Sequence, residues 1–262
     1  MMIETKFPNI VRCGNLHVAV RNMIDVNTVF GVMFRNIYGM LELREKDLVL
    51  DAGANIGTFS LIASRLARHV YSVEPDQSNY SQLQLNLGLN RTTNVSTIKA
   101  CLSNKNGKAY LAGYNDSAKL VTSVGREVNV RTIDRLMADL GIQKFDVVKM
   151  DIEGSEVAAL SDQHFLSDVR ELIIETHSAE LELKITKVLQ NLSFRVENVT
   201  PQKILINHLK NLKSKTPDYI TENIRFHMAD IKTYVDYGIG ALRSSTSLSR
   251  SRSEFSLLYA RK

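Results

Sequence analysis

Three groups of residues have types and spacings that could do chemistry. The first is VLDAGANIG, residues 49–57, where an apolar run closes on Asp51 and leads into Gly53, Asn55 and Gly57. The second is Glu74, at the end of the next apolar run, followed by Pro75 and Asp76. The third is KMDIEGSE, residues 149–156, which offers Asp151 and Glu153, with Glu175 and His177 after the apolar run that follows. A dinucleotide loop needs Gly-x-Gly-x-x-Gly, whose middle glycine lets the backbone approach a pyrophosphate. Asn55 fills that slot and no third glycine follows. A phosphate loop needs a lysine straight after its last glycine, and Thr58 stands there instead. A ligand with an ammonium, a carboxylate and a ribose but no phosphate suits these residues better. S-adenosylmethionine is such a ligand. Asp51 could organise the loop and face a cationic end, and the glycines permit close approach or positive φ. Helix-start amides could meet a carboxylate, and Glu74, an acceptor only, could take two hydrogen bonds from a ribose diol. The plain alternative is a glycine-rich turn that only packs.

These residues need elements to hold them, and the pattern from Asp47 onward supplies strands alternating with helices. LVLDAG, VYSVEP, VSTIKA, FDVVKM, ELIIET and SFRVENV read as strands. Helical spacing of apolar residues appears between them, in residues 56–66, 78–90, 134–140, from Gly154, and in 179–191. Asn106-Gly107 marks a turn within a β-rich excursion, with candidate strands at 109–114, 119–124 and 127–133. The alternation predicts an α/β fold with a mostly parallel sheet covered on both faces. Such sheets bind ligands beyond the carboxyl ends of their strands, where Asp51, Glu74, Ala100, Asp151 and Glu175 fall. Ahead of this domain, residues 10–20 read as a hairpin turning at Cys13-Gly14-Asn15, and residues 27–42 as a helical lead-in. The organisation expected is a lead-in over 1–44, the main domain over 45–199 and 254–262, and a helical, basic insertion over 200–253.

The chain has 262 residues, 44% hydrophobic and 23% charged, enough for one sizeable core. No apolar run reaches the ~18 residues that span a bilayer, and MMIETKFPNIV does not read as a signal peptide. Two cysteines, Cys13 and Cys101, make no disulfide framework, so a reducing, cytoplasmic setting is expected. The net charge of +5 is compatible with anionic substrates, nucleic acid or a membrane surface and does not choose among them.

With these residues in view, the chain resembles the FkbM-type S-adenosylmethionine-dependent methyltransferases. The resemblance rests on VLDAGANIG, VEPDQSNYSQLQLN, ACLSNKNG, VRTIDRL, KMDIEGSE and IIETH, in family order over about residues 45–180. It implies a Rossmann-like class I methyltransferase sheet whose last strand is antiparallel and inserted beside the fifth. It implies S-adenosylmethionine as cofactor and O-methylation of hydroxyls, often on sugars or natural products. By position it places Asp51, Gly53, Asn55 and Gly57 along the methionine end and Glu74 on the ribose. Pro75, Asp76 and the stretch around Cys101 would border the adenine, and Asp151 the reactive end.

Methyl transfer to a hydroxyl asks for alignment of nucleophile, carbon and sulfur, and gains from a base. Asp151, Glu153 and His177 are the candidate catalytic residues. Each has another reading: Asp151 as a partner for the cofactor ammonium, Glu153 as a carboxylate at a helix start, His177 as a loop histidine. Glu156 reads as a supporting or surface residue. Two carboxylates and a histidine could also hold Mg²⁺, but no metal is assigned. There is no Asn-Pro-Pro-Tyr-like loop for nucleobase amino groups and no Pro-Cys at a strand end for covalent pyrimidine chemistry. Lys203, Lys210, Lys213 and Lys215, then Arg243, Arg250 and Arg252, make the insertion basic. That reads either as a solvated surface or as a lid favouring an anionic acceptor, and its apolar helix faces as a homodimer contact. A small-molecule, glycan or lipid-linked acceptor is the expected partner. RNA is the rival acceptor, and a non-catalytic cofactor-binding module is the rival to enzyme activity.

Overall fold

The computed structural model describes residues 9–112, 119–121, 125–161, 163–200, 202–204, 206 and 256–262. Strands β1 (Asn9–Cys13) and β2 (Leu16–Val20) form the expected antiparallel hairpin. Helix α1 (Met23–Val29) starts earlier than the apolar spacing indicates, because the Asn22 side chain accepts from the Asp25 amide and caps it. It runs directly into a π-helical turn, Phe30–Phe34.

The main sheet has seven strands. These are β3 (Leu48–Ala52), β4 (His69–Val73), β5 (Val95–Ile98), β10 (Val147–Met150), β11 (Glu171–Thr176), β12 (Arg195–Asn198) and β13 (Ser256–Arg261). Their order is β12-β13-β11-β10-β3-β4-β5. All neighbours are parallel except β13, which runs antiparallel between β11 and β12. This is the Rossmann-like methyltransferase order expected, with the last strand beside the fifth.

Alternation along each strand divides the core. Leu50, Val148, Met150, Leu172 and Ile174 face one side, packed with Ile133, Phe145, Leu160, Ile185 and Leu189. Val49, Val70, Val147 and Ile173 face the other, against Phe59, Ala63 and Tyr38. The helices between are α2 (Thr58–Ala63), α3 (Gln77–Leu89), α4 (Ile133–Leu140), α5 (Glu156–Ala159) and α6 (Ala179–Asn191). The helix expected from Gly154 is thus one short turn, begun two residues later, because Glu153 and Gly154 both hold positive φ.

The β-rich excursion is a separate four-stranded sheet. It contains β6 (Cys101–Leu102), β7 (Gly107–Ala112), β8 (Lys119–Val121) and β9 (Arg126–Arg131), in the order β6-β9-β7-β8. Cys101 and Leu102 of β6 and Leu111 of β7 line one cleft together with Val73 at the end of β4.

Helix α3 shows why apolar spacing alone under-reads a helix. Its buried face carries Gln82 and Asn86 as well as Leu83 and Leu87. Asn86 accepts from the Ala19 amide at 2.8 Å and donates to the Ile56 carbonyl at 2.8 Å. Gln82 donates to the Ala19 carbonyl at 2.6 Å, and Asn90 exchanges two bonds with His17. Side-chain amides four residues apart therefore act as an edge partner for β2 and fasten the hairpin to the glycine loop.

Of the expected insertion, only its start is described. Residues 202–204 are helical, and Lys203 pairs with Glu197 at 2.7 Å. The remaining basic residues, the second expected helix and the proposed lid or dimer face lie outside the described residues. Among the described residues no helix is long and apolar enough to cross a membrane.

Candidate active site

Strand order reverses direction between β3 and β10, so the loops at their carboxyl ends diverge and leave a crevice. The loop after β3 turns sharply because the Gly53 and Ala54 amides both donate to the Val73 carbonyl at 2.9 Å. Asn55 then adopts φ +51°, a left-handed conformation that Asn tolerates better than most residues. This aims its amide at Glu74 Oε2, 2.9 Å away. The Asp76 amide reaches Glu74 Oε1, also at 2.9 Å. Glu74 is therefore locked between two backbone donors, with its remaining lone pairs turned to the crevice. Burial, only partly offset by those amides, pushes its carboxyl up to about 7.

The two glycines serve backbone geometry. A Cβ on Gly53 would stand 1.7 Å from the Asp151 carbonyl oxygen, so the β3 and β10 loops meet only because residue 53 has no side chain. Gly57 has φ +86° and begins α2, with Leu83 of α3 against it. Gly57 does not line the crevice.

Asp51 does not line it either. It is fully buried, accepts from Ser60 Oγ at 2.5 Å and lies 3.3 Å from Lys149 Nζ. Lys149 in turn donates to the Gly53 carbonyl at 2.6 Å and sits 5.3 Å from the Tyr38 ring centroid. Burial alone would lower the Lys149 pKa, but Asp51, Asp151 and Glu175 outweigh it and keep the ammonium charged. Asp51 thus fixes the loop from behind, through a cation that sequence reading passed over.

Two clefts open at this sheet edge. One, about 650 Å³, is lined by Gly53, Asn55, Glu74, Pro75, Cys101, Asp151 and Glu153 among others, with apolar walls from Val73, Ala100, Leu102, Leu111 and Ile152. The other, about 1410 Å³, is lined by Asn27, Thr28 and Gly31, by Tyr38 and Lys149, and by Asp151, Glu153, Glu175 and His177. Gly53, Asn55, Asp151 and Glu153 belong to both. Asp76 is not a lining residue. It caps α3 by accepting from the Ser78 and Asn79 amides, and it pairs with Arg126 of β9. The Cys101 thiol, raised to about 12 by burial and then by Glu74, is no nucleophile at neutral pH.

Where the clefts meet, the three candidate catalytic side chains come together. His177 Nε2 lies 3.0 Å from Glu153 Oε2 and 3.5 Å from Asp151 Oδ1. Glu153 reaches this position from φ +55°. Its loop is held by Glu156, fully buried, whose Oε1 accepts from the Ile152 and Gly154 amides at 3.2 and 3.1 Å. Glu156 is therefore a positioning residue and not a surface one. Glu175 adds a further acid, its carboxyl pushed up to about 8 by burial and then by Asp151. The Tyr38 phenol is held protonated by burial and by Asp151 and Glu175. Tyr38 lies outside every motif of the sequence, and Lys149 opens the KMDIEGSE stretch but precedes the strand-end acids, so neither was assigned a role.

Comparison with known proteins gives three findings. A family model described as the methyltransferase FkbM domain matches residues 51–196. Among curated proteins, the hexuronic acid methyltransferase AglP of Haloferax volcanii is 28% identical over 161 residues, covering 60% of this chain and 66% of that one. Methyltransferase sdnD of Sordaria araneosa is 24% identical over 217 residues, covering 67% and 84%. Among solved structures, a methyltransferase FkbM from Methylobacillus flagellatus KT superposes with a TM-score of 0.51 at 21% identity. That match covers 64% of this chain and 45% of the other, so it speaks to the fold of the shared part.

Proposed function

The chain belongs to the FkbM methyltransferase family, and we propose that it transfers a methyl group from S-adenosylmethionine to a hydroxyl oxygen of a sugar or of another small or lipid-linked acceptor. The observation that carries this reading is the pair of clefts joined at Gly53, Asn55, Asp151 and Glu153. One has the features of a nucleoside site, and the other is larger and more polar in its named groups.

The residues of the smaller cleft fit the cofactor. Glu74 is already oriented by two amides and keeps lone pairs for a ribose diol. Val73, Ala100, Leu102, Leu111 and Ile152 offer apolar surface for an adenine, beside Pro75 and Cys101. Gly53, Asn55 and Asp151 would border the methionine end. When bound, the cofactor supplies a methyl carbon activated by its sulfonium.

The chain's own part is alignment and proton handling. Asp151 and Glu153 line both clefts, so they would hold an acceptor hydroxyl where the cofactor's cleft and the larger cleft meet. The carboxylates and His177 would accept the hydroxyl proton as the methyl carbon passes from sulfur to the acceptor oxygen, with S-adenosylhomocysteine as the leaving group. Tyr38, Asn27 and Thr28 supply hydroxyl and amide groups suited to a sugar. The Haloferax relative, named for a hexuronic acid, makes an acidic sugar the first acceptor to try.

The test is to incubate the full chain with methyl-labelled S-adenosylmethionine and hexuronic-acid oligosaccharides, alongside a fractionated lipid-linked glycan pool. Label in a methyl ether on the sugar is the expected result. Label found only in RNA, or in no acceptor although the cofactor binds, contradicts the reading.

A further inference from the structure

We infer that Asp151, Glu153 and His177 form a binding site for one divalent cation at the junction of the two clefts. One ligand atom from each of the three lies within 4.8 Å of the other two. The two contacts of His177 Nε2, at 3.0 Å to Glu153 and 3.5 Å to Asp151, match the spacing of adjacent ligands on one ion. In octahedral geometry, ligands bound at about 2.1 Å and set at right angles stand roughly 3 Å apart. These atoms therefore need only small shifts to share an ion.

The supports are stiff. Asp151 follows β10 and His177 follows β11, two paired strands in the middle of the sheet. Glu153 is set by the loop that the buried Glu156 carboxylate holds through the Ile152 and Gly154 amides. The His177 side chain is 6% exposed, so its ring direction is fixed, and Nε2 points at both carboxylates.

Charge favours a cation. Asp151 and Glu153 line the larger cleft, and Glu175, whose carboxyl is raised to about 8, lines it beside them as an acid that a bound cation would help to ionise. The ammonium that lines it with them, Lys149, is already engaged by Asp51 and by the Gly53 carbonyl. The donor set also selects a class of ion. Two carboxylates and one imidazole, with no thiolate, suit Mn²⁺ or Mg²⁺ better than softer metals. Three protein ligands leave positions for water and for an oxygen of the acceptor, and an ion-bound hydroxyl gives up its proton more readily. That last step rests on the O-methylation reading; the ion site itself does not. The rival arrangement is a protonated His177 bridging the two carboxylates with no ion.

The test uses Mn²⁺ alone, titrated into the full chain after chelator treatment, without cofactor or acceptor, with free Mn²⁺ followed by electron paramagnetic resonance. One ion per chain is expected, weakened at least about tenfold in Glu153→Gln and in His177→Ala. Circular dichroism checks that both variants fold. If they do not, broadening of the His177 ring resonances by Mn²⁺ in the unaltered chain is the deciding readout. No binding at about 1 mM, or binding that neither variant nor the His177 resonances register, overturns the inference. Mn²⁺ binding without methyl transfer contradicts only the proposed function; full methyl transfer in chelator contradicts only the ion-bound hydroxyl step.

Discussion

The Asn55 amide donates to Glu74 Oε2 at 2.9 Å, and this bond ties the glycine loop after the first parallel strand to the acid ending the second. It depends on Asn55 holding φ +51°, the slot where a dinucleotide loop has its middle glycine. The left-handed turn is kept, but its amide is spent on a carboxylate of the protein and not on a phosphate. A loop built this way presents an acceptor to its ligand.

The pH dependence of cofactor binding follows from Glu74. Its carboxyl is raised to about 7, so the acid form predominates below that pH and the carboxylate above it. Only the carboxylate accepts both hydrogen bonds of a diol. S-adenosylhomocysteine affinity should be flat above about pH 8 and fall toward tenfold per pH unit well below 7. Glu74→Gln should bind weakly with the slope removed. Calorimetry at several pH values measures this; equal affinity at pH 6 and 8 would count against the assignment.

The two glycines should differ in their sensitivity to alanine. At Gly57 the new Cβ meets the end of the Leu83 side chain, which can move, so the cost is mainly the positive φ, about 1–2 kcal/mol. At Gly53 the same strain is joined by a backbone carbonyl 1.7 Å away. Gly53→Ala should lose clearly more stability than Gly57→Ala in urea denaturation. Equal losses would mean that the β3 and β10 loops are not held as close as described.

Lys149 and Asp51 form a pair at 4% and 0% side-chain exposure. Removing one partner strands a buried charge, so Lys149→Met should cost about 3–5 kcal/mol, and Asp51→Leu beside it should recover much of that loss. Thermal denaturation of the single and double variants tests the coupling. A Lys149→Met chain as stable as the unaltered one is the contrary result.

Asn86 is the joint between hairpin and glycine loop. Asn86→Leu leaves the Ala19 amide without the Asn86 side-chain acceptor, and the Ile56 carbonyl without its donor from that side chain, at a cost of about 2–4 kcal/mol. Amide exchange should rise first in residues 16–20. Unchanged protection there would show that β2 is held by other contacts.

The sequence makes the alternating elements readable because each strand is a short apolar run ended by a polar or glycine loop. Asp51, Glu74, Asp151 and His177 were found at strand ends for that reason. Their depth was not legible. Asp51 and Glu74 are both acids at strand ends, yet one is sealed behind Lys149 and the other faces a cleft. The difference arises from a lysine 98 residues beyond Asp51 in the chain. Arg126 meets Asp76 across 50 residues for the same kind of reason. Glu156 read as either a supporting or a surface residue, because helical spacing says nothing of a loop that needs its amides satisfied; the structure gives it the supporting role. The amides of α3 escaped notice since polar residues on a buried face break the apolar period.

The most direct measurement is a crystal structure of the full chain with S-adenosylhomocysteine. The expected complex has both ribose hydroxyls on Glu74, the adenine between Val73, Ala100 and Leu102, and the sulfur toward Asp151 at the junction of the clefts. A ligand bound with Glu74 untouched, or with its sulfur turned away from the larger cleft, would contradict it.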